Sequence, residues 1–545
     1  MTQSPGIPWS SGLRTLAARF GDSIAVSGGS SPLSYVALCA RAHALAACLA
    51  QAGGAAGTPI ASLLPNGPPA VWAAYGIRIT GAAETPMSYG YTVEEIAWSA
   101  RIAGVRTIVT ARERVDEVRA LGLQPIVVED VSDIDPQTSF PAVAADATGR
   151  ILFTSGTTGR PKGVVYSHAR RWTGEQLLKA ALPFAPSPDD RILLMTPFSH
   201  GASLLTFAWC DYGGEVILLD GVDIDRLREP LRAGKIDAVF APPTVLAKLA
   251  AAFGDERFPG VRCVFTGTQP LTAALYRKTR AMFGPVVRIT FGKTECVNPI
   301  TVLEPGDAES LFALEEPGLG TCVGWPAAGV ELLIHVEQTR DGDGDGEGTD
   351  EGADEGADEG ADEGADESGG KRDGESRGEV WLRAPHMSNG LIDTEAFKPH
   401  EPDGWHRTGD QGYIDVRGRL WLTGRIADVI KTGGYRVNPD EIESLLTGLH
   451  GCGPVCVTSV PSEYWGEVII AVAERARGGW AVEAGERVKA LSRHKRPRAY
   501  VAVDALPRNP QGKISRRKVG ELVLATHDFS DGPYPSLIGK EGASG

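Results

Sequence analysis

The sequence has few cysteines for its length, and no two of them have a CxxC spacing. Eight cysteines are spread over 545 residues, and only Cys452 and Cys456 lie close together. Disulfide-rich secreted domains and cysteine-based zinc sites both need closely spaced cysteines, so we predict neither. Scattered single cysteines are typical of a protein that works in a reducing cytoplasm.

Long apolar runs are also missing. A membrane-spanning helix needs about 20 predominantly apolar residues in a row, and no stretch of this sequence provides them. Residues 1–20 lack the basic start followed by an apolar core that marks a secretory signal. We therefore expect a cytoplasmic protein with no membrane insertion, in agreement with a composition of 42% hydrophobic and 23% charged residues.

Positive charge is absent from one internal segment. Asp341 to Glu367 holds 14 acidic residues and no basic one, which accounts for nearly all of the net charge of −15. The segment repeats EGAD and has no apolar face, so residues 341–370 are predicted to be an acidic disordered insertion in a hairpin between two strand-like runs, ELLIHVE and GEVWLR. The alternative is that this tract binds calcium or a basic partner. No nucleic-acid partner is expected for a chain of this charge.

Strand-length apolar runs alternate with helical patterns through the centre of the chain. The runs ILLMTPF, EVILLD, AVFAPP and VRCVFTG are separated by segments such as VLAKLAAAFG and LYRKTRAMFG. This alternation predicts an α/β fold with a large multi-subdomain body over residues 1–424. Further along, NPDEIESLLTGL indicates a helix capped by Asn438 with Pro439 in its first turn. That helix belongs to a predicted small, mobile α+β domain over residues 425–525, which a tail over residues 526–545 follows.

The stretch ILFTSGTTGRPKGVVYSH, which begins at Ile151, has the composition of a phosphate-binding loop. Its glycines let backbone N–H groups approach an anion, and its hydroxyl side chains and one lysine add donors. A P-loop is excluded, because Lys162 is followed by Gly163 and a β-rich run instead of a Ser or Thr that opens a helix. The alternative, a flexible turn between strands 151–153 and 164–166, leaves the hydroxyls and the lysine unexplained. The predicted phosphate contacts are Thr154, Ser155, Gly156, Thr157, Thr158, Gly159 and Lys162.

Four more motifs follow in order along the chain: FGKTE (291–295), GWHRTGD, GRIADVIKTGGYRVNPDEIE (424–443) and PRNPQGKISR. Together with the glycine-rich loop they resemble the motif set of the adenylate-forming superfamily, which includes acyl- and aryl-CoA ligases, adenylation domains of peptide synthetases, and luciferases. The resemblance covers nearly the whole chain. It implies ATP-dependent activation of a carboxylic acid as an acyl-adenylate, release of pyrophosphate, and transfer of the acyl group to CoA or to a carrier-protein thiol. The expected cofactors are ATP and Mg²⁺, with CoA as the second substrate.

The resemblance also assigns a nucleotide site. It implies that the 154–163 loop holds the β- and γ-phosphates, and that Phe291 stacks on adenine with the TGTQP loop on the other face. Asp410 matches the residue that accepts hydrogen bonds from both ribose hydroxyls, and Arg425 matches an arginine near that ribose. The cofactor-binding residues expected outside the glycine-rich loop are Gly267, Thr268, Gln269, Phe291, Gly292, Thr294, Asp410, Arg425 and Lys513.

The catalytic residues that the resemblance implies are Lys513, His200, Thr294 and Glu295. Glu295 is expected to hold the magnesium beside Thr294. Lys513 is expected to reach from the small domain and bridge the reacting carboxylate and the α-phosphate. Taken singly, each residue has an ordinary alternative as a turn or surface residue, and Lys513 has one in a basic surface patch.

The acid pocket is predicted from PFSHGASL (197–204), which resembles the CoA-ligase motif in which His200 lies beside the carboxylate. The predicted pocket residues are His200, Gly201, Phe240, Thr266 and Lys293. They indicate an aromatic or medium acyl group, and the lack of a nearby aspartate argues against an α-amino acid. No carrier sequence follows the small domain. We therefore expect a freestanding monomer or homodimer that passes its product to CoA or to a separate carrier protein.

Three residues depart from the family pattern. Ala427 stands where many relatives carry the Asp or Lys about which the small domain pivots, and Thr268 replaces a smaller residue in TGTQP. Lys293 stands in FGKTE where an apolar or small residue is usual, and we expect it to reach the acid pocket or the α-phosphate, or else to point to solvent.

Two other functions stay open. One is a diazotase-like enzyme that activates nitrite for attack by an arylamine, because Lys293 and a tight pocket suit a small anion. The other is a nucleotide-binding regulator without catalysis, against which the presence of both Glu295 and Lys513 argues.

Overall fold

The computed structural model describes residues 6–132, 140–155, 161–267, 269–313, 320–336, 376–393, 396–401, 403–432, 435–509, 512–531 and 535–540. The predicted acidic insertion 341–370, part of the glycine-rich loop (156–160) and Thr268 lie outside these residues. In the described ranges, no helix combines the length and the apolar character needed to cross a bilayer.

The helices are α1 (Trp9–Phe20), α2 (Tyr35–Gln51), α3 (Pro68–Ile79), α4 (Val93–Ala103), α5 (Val115–Ala120), α6 (His168–Ala180), α7 (Ser203–Cys210), α8 (Ile224–Arg232), α9 (Pro243–Phe253), α10 (Ala273–Phe283), α11 (Pro305–Phe312), α12 (Pro439–Leu445), α13 (Trp480–Arg487) and α14 (Arg516–Thr526). The strands of the first half are β1 (Ile24–Gly28), β2 (Ser30–Ser34), β3 (Pro59–Leu63), β4 (Ala83–Pro86), β5 (Thr107–Thr110), β6 (Gln124–Val127), β7 (Thr148–Ser155), β8 (Pro161–Ser167), β9 (Arg191–Leu194), β10 (Glu215–Leu218), β11 (Ala238–Phe240) and β12 (Cys263–Gly267). Those of the second half are β13 (Val287–Lys293), β14 (Cys296–Leu303), β15 (Thr321–Pro326), β16 (Glu331–His335), β17 (Gly378–Arg383), β18 (Gly390–Asp393), β19 (Ala396–Pro399), β20 (His406–Ile414), β21 (Leu420–Arg425), β22 (Ile430–Thr432), β23 (Tyr435–Val437), β24 (Val455–Ser462), β25 (Gly466–Glu474), β26 (Ala499–Val503), β27 (His527–Ser530) and β28 (Ser536–Gly539).

The largest sheet has thirteen strands in the order β16-β17-β20-β21-β15-β14-β13-β12-β11-β9-β10-β1-β2. Its strands β10, β9, β11, β12 and β13 run parallel to one another. Strands of a parallel sheet are covered on both faces, which explains why these segments appear in the sequence as continuous apolar runs. The predicted α/β alternation is confirmed.

A second sheet has eight strands in the order β19-β18-β8-β7-β4-β3-β5-β6. Helices α2 and α3 lie between the two sheets, because one buried apolar cluster joins them to strands of both. That cluster includes Leu45 of α2, Ile77 of α3, Ile60 of β3 and Leu194 of β9. Further clusters cover the outer faces of the two sheets.

The strand-like runs that flank the acidic tract form a hairpin. Strands β16 and β17 pair antiparallel, from Glu331 opposite Arg383 to His335 opposite Glu379. The pairing predicted for ELLIHVE and GEVWLR is therefore confirmed, and the acidic tract itself lies outside the described residues.

The C-terminal part forms a smaller α+β unit. Its sheet has the order β23-β22-β25-β24, and β26 pairs in parallel with β25. Ile442 of α12 packs in a cluster on one side, and Val519 and Val523 of α14 pack in another. Helix α12 begins after Asn438, whose Oδ1 accepts a hydrogen bond from the Asp440 N–H at 3.0 Å, as the sequence predicted.

Candidate active site

Asp410 is a buried carboxylate that faces the start of the small domain. Strands β20 and β21 pair antiparallel with Asp410 directly opposite Arg425. Arg425 Nε lies 3.1 Å from Asp410 Oδ1, and Asp410 is only 5% exposed. Burying an unpaired carboxylate is costly. The register of these two strands places Arg425 opposite Asp410 and so supplies its first partner.

Lys293 supplies the second partner. Its ammonium donates hydrogen bonds to Asp410 Oδ2 at 3.0 Å and to the Thr408 carbonyl at 2.7 Å. The sequence led us to expect this side chain in the acid pocket, at the α-phosphate or in solvent. The structure corrects that expectation, because the Lys293 ammonium contacts the carboxylate that was assigned to the ribose.

Lys513 reaches this cluster from the small domain. Its loop is closed on itself, since the Lys513 N–H donates to Asn509 Oδ1 at 2.9 Å and the Asn509 N–H donates to the Lys513 carbonyl at 2.8 Å. Burial, and then the charges of Arg425 and Lys293, lower the pKa of Lys513 to about 8, while Asp410 opposes the shift. The Lys513 ammonium therefore lies within electrostatic range of Asp410, although the two residues lie more than a hundred positions apart in the chain.

The FGKTE segment is held by backbone contacts from two other strands or loops. The Tyr166 hydroxyl donates to the Thr294 carbonyl at 2.6 Å, and the Ser388 N–H donates to the Glu295 carbonyl at 2.8 Å. These two bonds hold the backbone on which the Glu295 carboxylate is carried. In the described ranges, no three His, Cys, Asp or Glu side chains cluster as a metal site. One carboxylate fits Mg²⁺, which proteins bind through one or two carboxylates together with substrate phosphates.

The residues assigned to adenine lie at the ends of two adjacent parallel strands. Phe291 of β13 is 9% exposed and packs with Ile300 and Val323. Gly267 ends β12, and a Cβ there would lie 2.1 Å from the Thr290 carbonyl oxygen, so the close approach of the strands requires glycine. Gly292 follows Phe291 within β13, and Gln269 follows β12.

Two antiparallel strands flank the glycine-rich segment. Strands β7 and β8 pair antiparallel with Thr154 opposite Lys162, which confirms that the segment is not a P-loop. Lys162 Nζ lies 3.3 Å from Asp393 Oδ2 in β18, a partner that the sequence did not suggest. The predicted contacts Gly156, Thr157, Thr158 and Gly159 lie outside the described residues, as does the side chain of Ser155.

His200 lies in a break before α7. The chain makes a π-type turn over Phe198–Ala202, in which His200 has a non-helical φ of −122° and ψ of −138°. Burial, and then the charges of Arg150 and Lys513, lower the pKa of His200 to about 4, so its imidazole is neutral near pH 7. A neutral imidazole beside a substrate carboxylate can donate or accept a hydrogen bond without adding charge.

A hydrogen-bonded relay fixes that turn. Arg150 Nη2 donates to Ser203 Oγ at 2.8 Å, and Ser203 Oγ donates to the His200 carbonyl at 2.7 Å. Arg150 is fully buried, and its Nη1 lies 3.6 Å from Glu84 Oε2. Sequence analysis missed Arg150 and Ser203. The available signal was an arginine at the start of an otherwise apolar strand, where charge is costly unless it is paired.

The predicted acid pocket is brought together only in part. A Cβ built at Gly201 would lie 3.8 Å from Cζ of Phe240, so the Phe240 ring lies against the turn that carries His200. Phe240 pairs in register with Phe265, and both pack in the cluster between the sheets. Because side chains alternate along a strand, Thr266 lies on the opposite face of β12. The structure therefore does not bring Thr266 to Phe240, contrary to our expectation.

The connection between the two parts of the chain is short. Arg425 pairs with Asp410 of the large body, and Asp428 Oδ2 lies 2.5 Å from Nη1 of Arg516 in the small unit. Only Ile426 and Ala427 separate these two anchored residues.

Comparison with known proteins gives matches along most of the chain. The family model described as AMP-binding enzyme matches residues 13–348, and the model for the C-terminal domain of AMP-binding enzymes matches residues 441–513. A 2-succinylbenzoate–CoA ligase from Geobacillus is 26% identical over 92% of this chain and 94% of its own length. The long-chain-fatty-acid–CoA ligase FadD13 from Mycobacterium tuberculosis is 27% identical over 91% and 94% of the two chains.

Two solved structures share the fold. The o-succinylbenzoate CoA synthetase from Bacillus subtilis, in complex with its acyl-adenylate, matches with a TM-score of 0.75 and 23% identity over 95% of this chain and 98% of that one. ATP-bound MatB from Rhodopseudomonas palustris matches with a TM-score of 0.77 and 23% identity over 94% and 98% of the two chains.

Proposed function

Since the chain belongs to the family of AMP-binding enzymes, we propose that it activates a carboxylic acid with ATP as an acyl-adenylate and then transfers the acyl group to a thiol. The observation that supports this proposal is that Lys513, on the small unit, is buried and interacts electrostatically with both Asp410 and His200 of the large body. A lysine that crosses from the small unit to the nucleotide-binding residues supplies positive charge where an acid and a phosphate must meet.

The first half-reaction joins two anions. A carboxylate oxygen attacks the α-phosphorus of ATP, the bond from that phosphorus to the bridging oxygen breaks, and pyrophosphate leaves. The Lys513 ammonium stabilises the negative charge that develops on the α-phosphate, a type of contribution that is usually large in a site shielded from water. Magnesium, when bound, neutralises phosphate charge, and Glu295 is the residue that would hold it.

The other residues bind and orient. Asp410 accepts hydrogen bonds from the ribose, while Lys162 of β8 contacts the polyphosphate, as the resemblance implies. His200 lies beside the acid, where the Arg150–Ser203 relay holds its turn. The neutral imidazole leaves the carboxylate ionised and nucleophilic.

The second half-reaction transfers the acyl group. A thiol loses its proton to solvent and attacks the acyl carbon of the adenylate, the bond from that carbon to the phosphate oxygen breaks, and AMP leaves with the electron pair. The acceptor proposed here is CoA, as the names of the relatives suggest, or else the thiol of a separate carrier protein. The small unit turns about Ile426 and Ala427 between the two half-reactions.

The acid is proposed to be an aromatic or medium acyl acid, because Phe240 and Gly201 shape an apolar pocket beside His200. Nitrite loses its main support, since the Lys293 ammonium that was expected to hold a small anion is bonded to Asp410.

The test is pyrophosphate release from ATP with a panel of aromatic, medium-chain and dicarboxylic acids and nitrite, with and without CoA. We expect release to depend on one class of carboxylic acid, and thioester to form only when a thiol is present. Lys513→Ala run beside the wild type controls for contaminating activity. A wild-type protein that binds ATP but releases pyrophosphate with none of these acids would overturn the proposal, and release with nitrite alone would favour the diazotase reading.

A further inference from the structure

Lys293 is a largely buried lysine that connects two strands, β13 and β20. It lies at the end of β13, and both of its acceptors, Asp410 and Thr408, lie on β20. The side chain is only 12% exposed. It therefore ties the FGKTE segment to the strand that carries the ribose-binding carboxylate.

We propose that Lys293 is a positioning residue for the nucleotide: it holds Asp410 in the orientation that accepts both hydroxyls of a ribose, and so makes the site selective for ribonucleotides. This inference rests on the proposed function of Asp410 in binding ATP. Lys293 acts through Asp410 and does not itself contact the reacting atoms.

The acceptor positions of Asp410 carry the argument. An ionised carboxylate has about four lone-pair sites, two on each oxygen. Lys293 donates a hydrogen bond to Oδ2 at 3.0 Å, and Arg425 Nε forms an ion pair with Oδ1 at 3.1 Å. Among the described contacts, each oxygen keeps at least one acceptor position, and two acceptors on separate oxygens match the two adjacent hydroxyls of a ribose. The carboxylate is thus divided between protein and ligand.

Loss of Lys293 changes that division. Of its two partners, Asp410 would keep only Arg425, whose side chain is 57% exposed. The carboxylate could then turn about its χ2 torsion, which is broad for aspartate, and fill its own vacant position from water. Two fixed acceptors would become a mobile pair, so binding should lose its dependence on the hydroxyls.

The first test measures binding of the nucleotide alone, in the presence of Mg²⁺, by titration calorimetry. ATP, 2′-deoxy-ATP and 3′-deoxy-ATP are compared on the wild type, Lys293→Met and Lys293→Arg. The wild type should bind ATP about tenfold or more tightly than either deoxy analogue, and Lys293→Met should reduce that ratio to about twofold or less. Lys293→Arg keeps the charge and should retain most of the ratio.

Two controls make the result specific. Lys179→Met removes a lysine from a similar partly buried ion pair, with Asp211 at 2.7 Å, and should leave the ratio unchanged. Asp410→Asn should lower the ratio by itself, and adding Lys293→Met to it should lower the ratio no further, because the lysine acts through that carboxylate.

A second readout comes from Lys513. The charged groups that face it are Arg425, Lys293 and Asp410, with His200 nearby. Removing the positive charge of Lys293 raises the pKa of Lys513, so the alkaline limb of acid-dependent pyrophosphate release should move to higher pH in Lys293→Met and stay in place in Lys293→Arg. A purely structural lysine would lower the rate without moving the limb.

The outcomes separate the two proposals. A Lys293→Met protein with the wild-type melting temperature, an unchanged preference for ATP over the deoxy analogues and an unchanged alkaline limb would overturn the inference. If Lys293→Met does not fold, failure of Lys293→Arg to retain the preference overturns it as well. A wild type that distinguishes the three nucleotides but activates no acid would sink the proposed function and leave the role of Lys293 standing.

Discussion

Arg516 Nη1 lies 2.5 Å from Asp428 Oδ2. Asp428 is only three residues after Arg425, which pairs with Asp410. The same arginine also pairs with Asp440 and Glu443. The hinge segment, residues 425–428, is therefore anchored to the large body through Arg425 and to the small unit through Asp428.

We predict that Arg516→Met lowers the stability of the small unit. Three carboxylates lose a shared cation that is only 22% exposed, and leaving such charges unpaired should cost about 2 kcal/mol of unfolding free energy. Chemical denaturation followed by Trp fluorescence measures it. The neighbouring Arg517→Met is the matched control, because its exposed pair with Glu521 should be worth about 0.5 kcal/mol or less. Equal losses in both variants would contradict the anchoring role.

Lys513→Ala should separate the two half-reactions. Removing one preorganised charge from a transition state typically costs about 10²–10³ in rate, so acid-dependent pyrophosphate release should fall by that factor. ATP affinity should change little, since the remaining nucleotide contacts lie in the large body. Conversion of a synthetic acyl-adenylate and CoA to thioester should persist, because the lysine leaves the site when the small unit turns. Loss of both half-reactions would indicate a structural role instead.

The rate of adenylate formation should fall as the pH rises through about 8. Burial and two neighbouring cations lower the pKa of Lys513 to about 8, and only its protonated form stabilises the phosphate charge. The charged form is thus present below that pH and lost above it. A pH profile of pyrophosphate release tests this, with Lys513→Arg as control, because a guanidinium stays charged. An alkaline limb that survives in Lys513→Arg would assign it to another group.

Ser203→Ala should weaken the turn that carries His200. The substitution removes the hydroxyl between Arg150 and the His200 carbonyl and leaves a buried guanidinium N–H without its acceptor, at a cost of about 1–3 kcal/mol. Adenylation should slow while ATP affinity is preserved, which kcat and KM measured separately for acid and ATP would reveal. Thr206→Val, in the same helix, removes a buried hydroxyl that bonds only the Ala202 carbonyl among its described partners, and should spare the rate. A larger loss of rate in Thr206→Val would contradict this assignment.

The parts of the fold that follow from local pattern were predictable. Apolar runs gave the parallel strands, and Asn438 with Pro439 gave the start of α12. The contacts of Lys293 were not predictable, because its partner lies on another strand that only the tertiary fold brings near. Thr266 was misplaced for a related reason, since its face is decided by the register between β12 and β13. Arg150 was missed because a buried arginine has meaning only through its partners.

Asp410 serves the hinge arginine, the bridging Lys293 and the expected ribose at once. A ribose that binds to that carboxylate therefore changes its ion pair with Arg425, which lies two residues before Ala427. Thermodynamic linkage makes the effect mutual: if the orientation seen here binds ATP more tightly by some factor, ATP favours this orientation by the same factor. Nucleotide binding and the orientation of the small unit, which selects the half-reaction, are then coupled through the single side chain of Asp410.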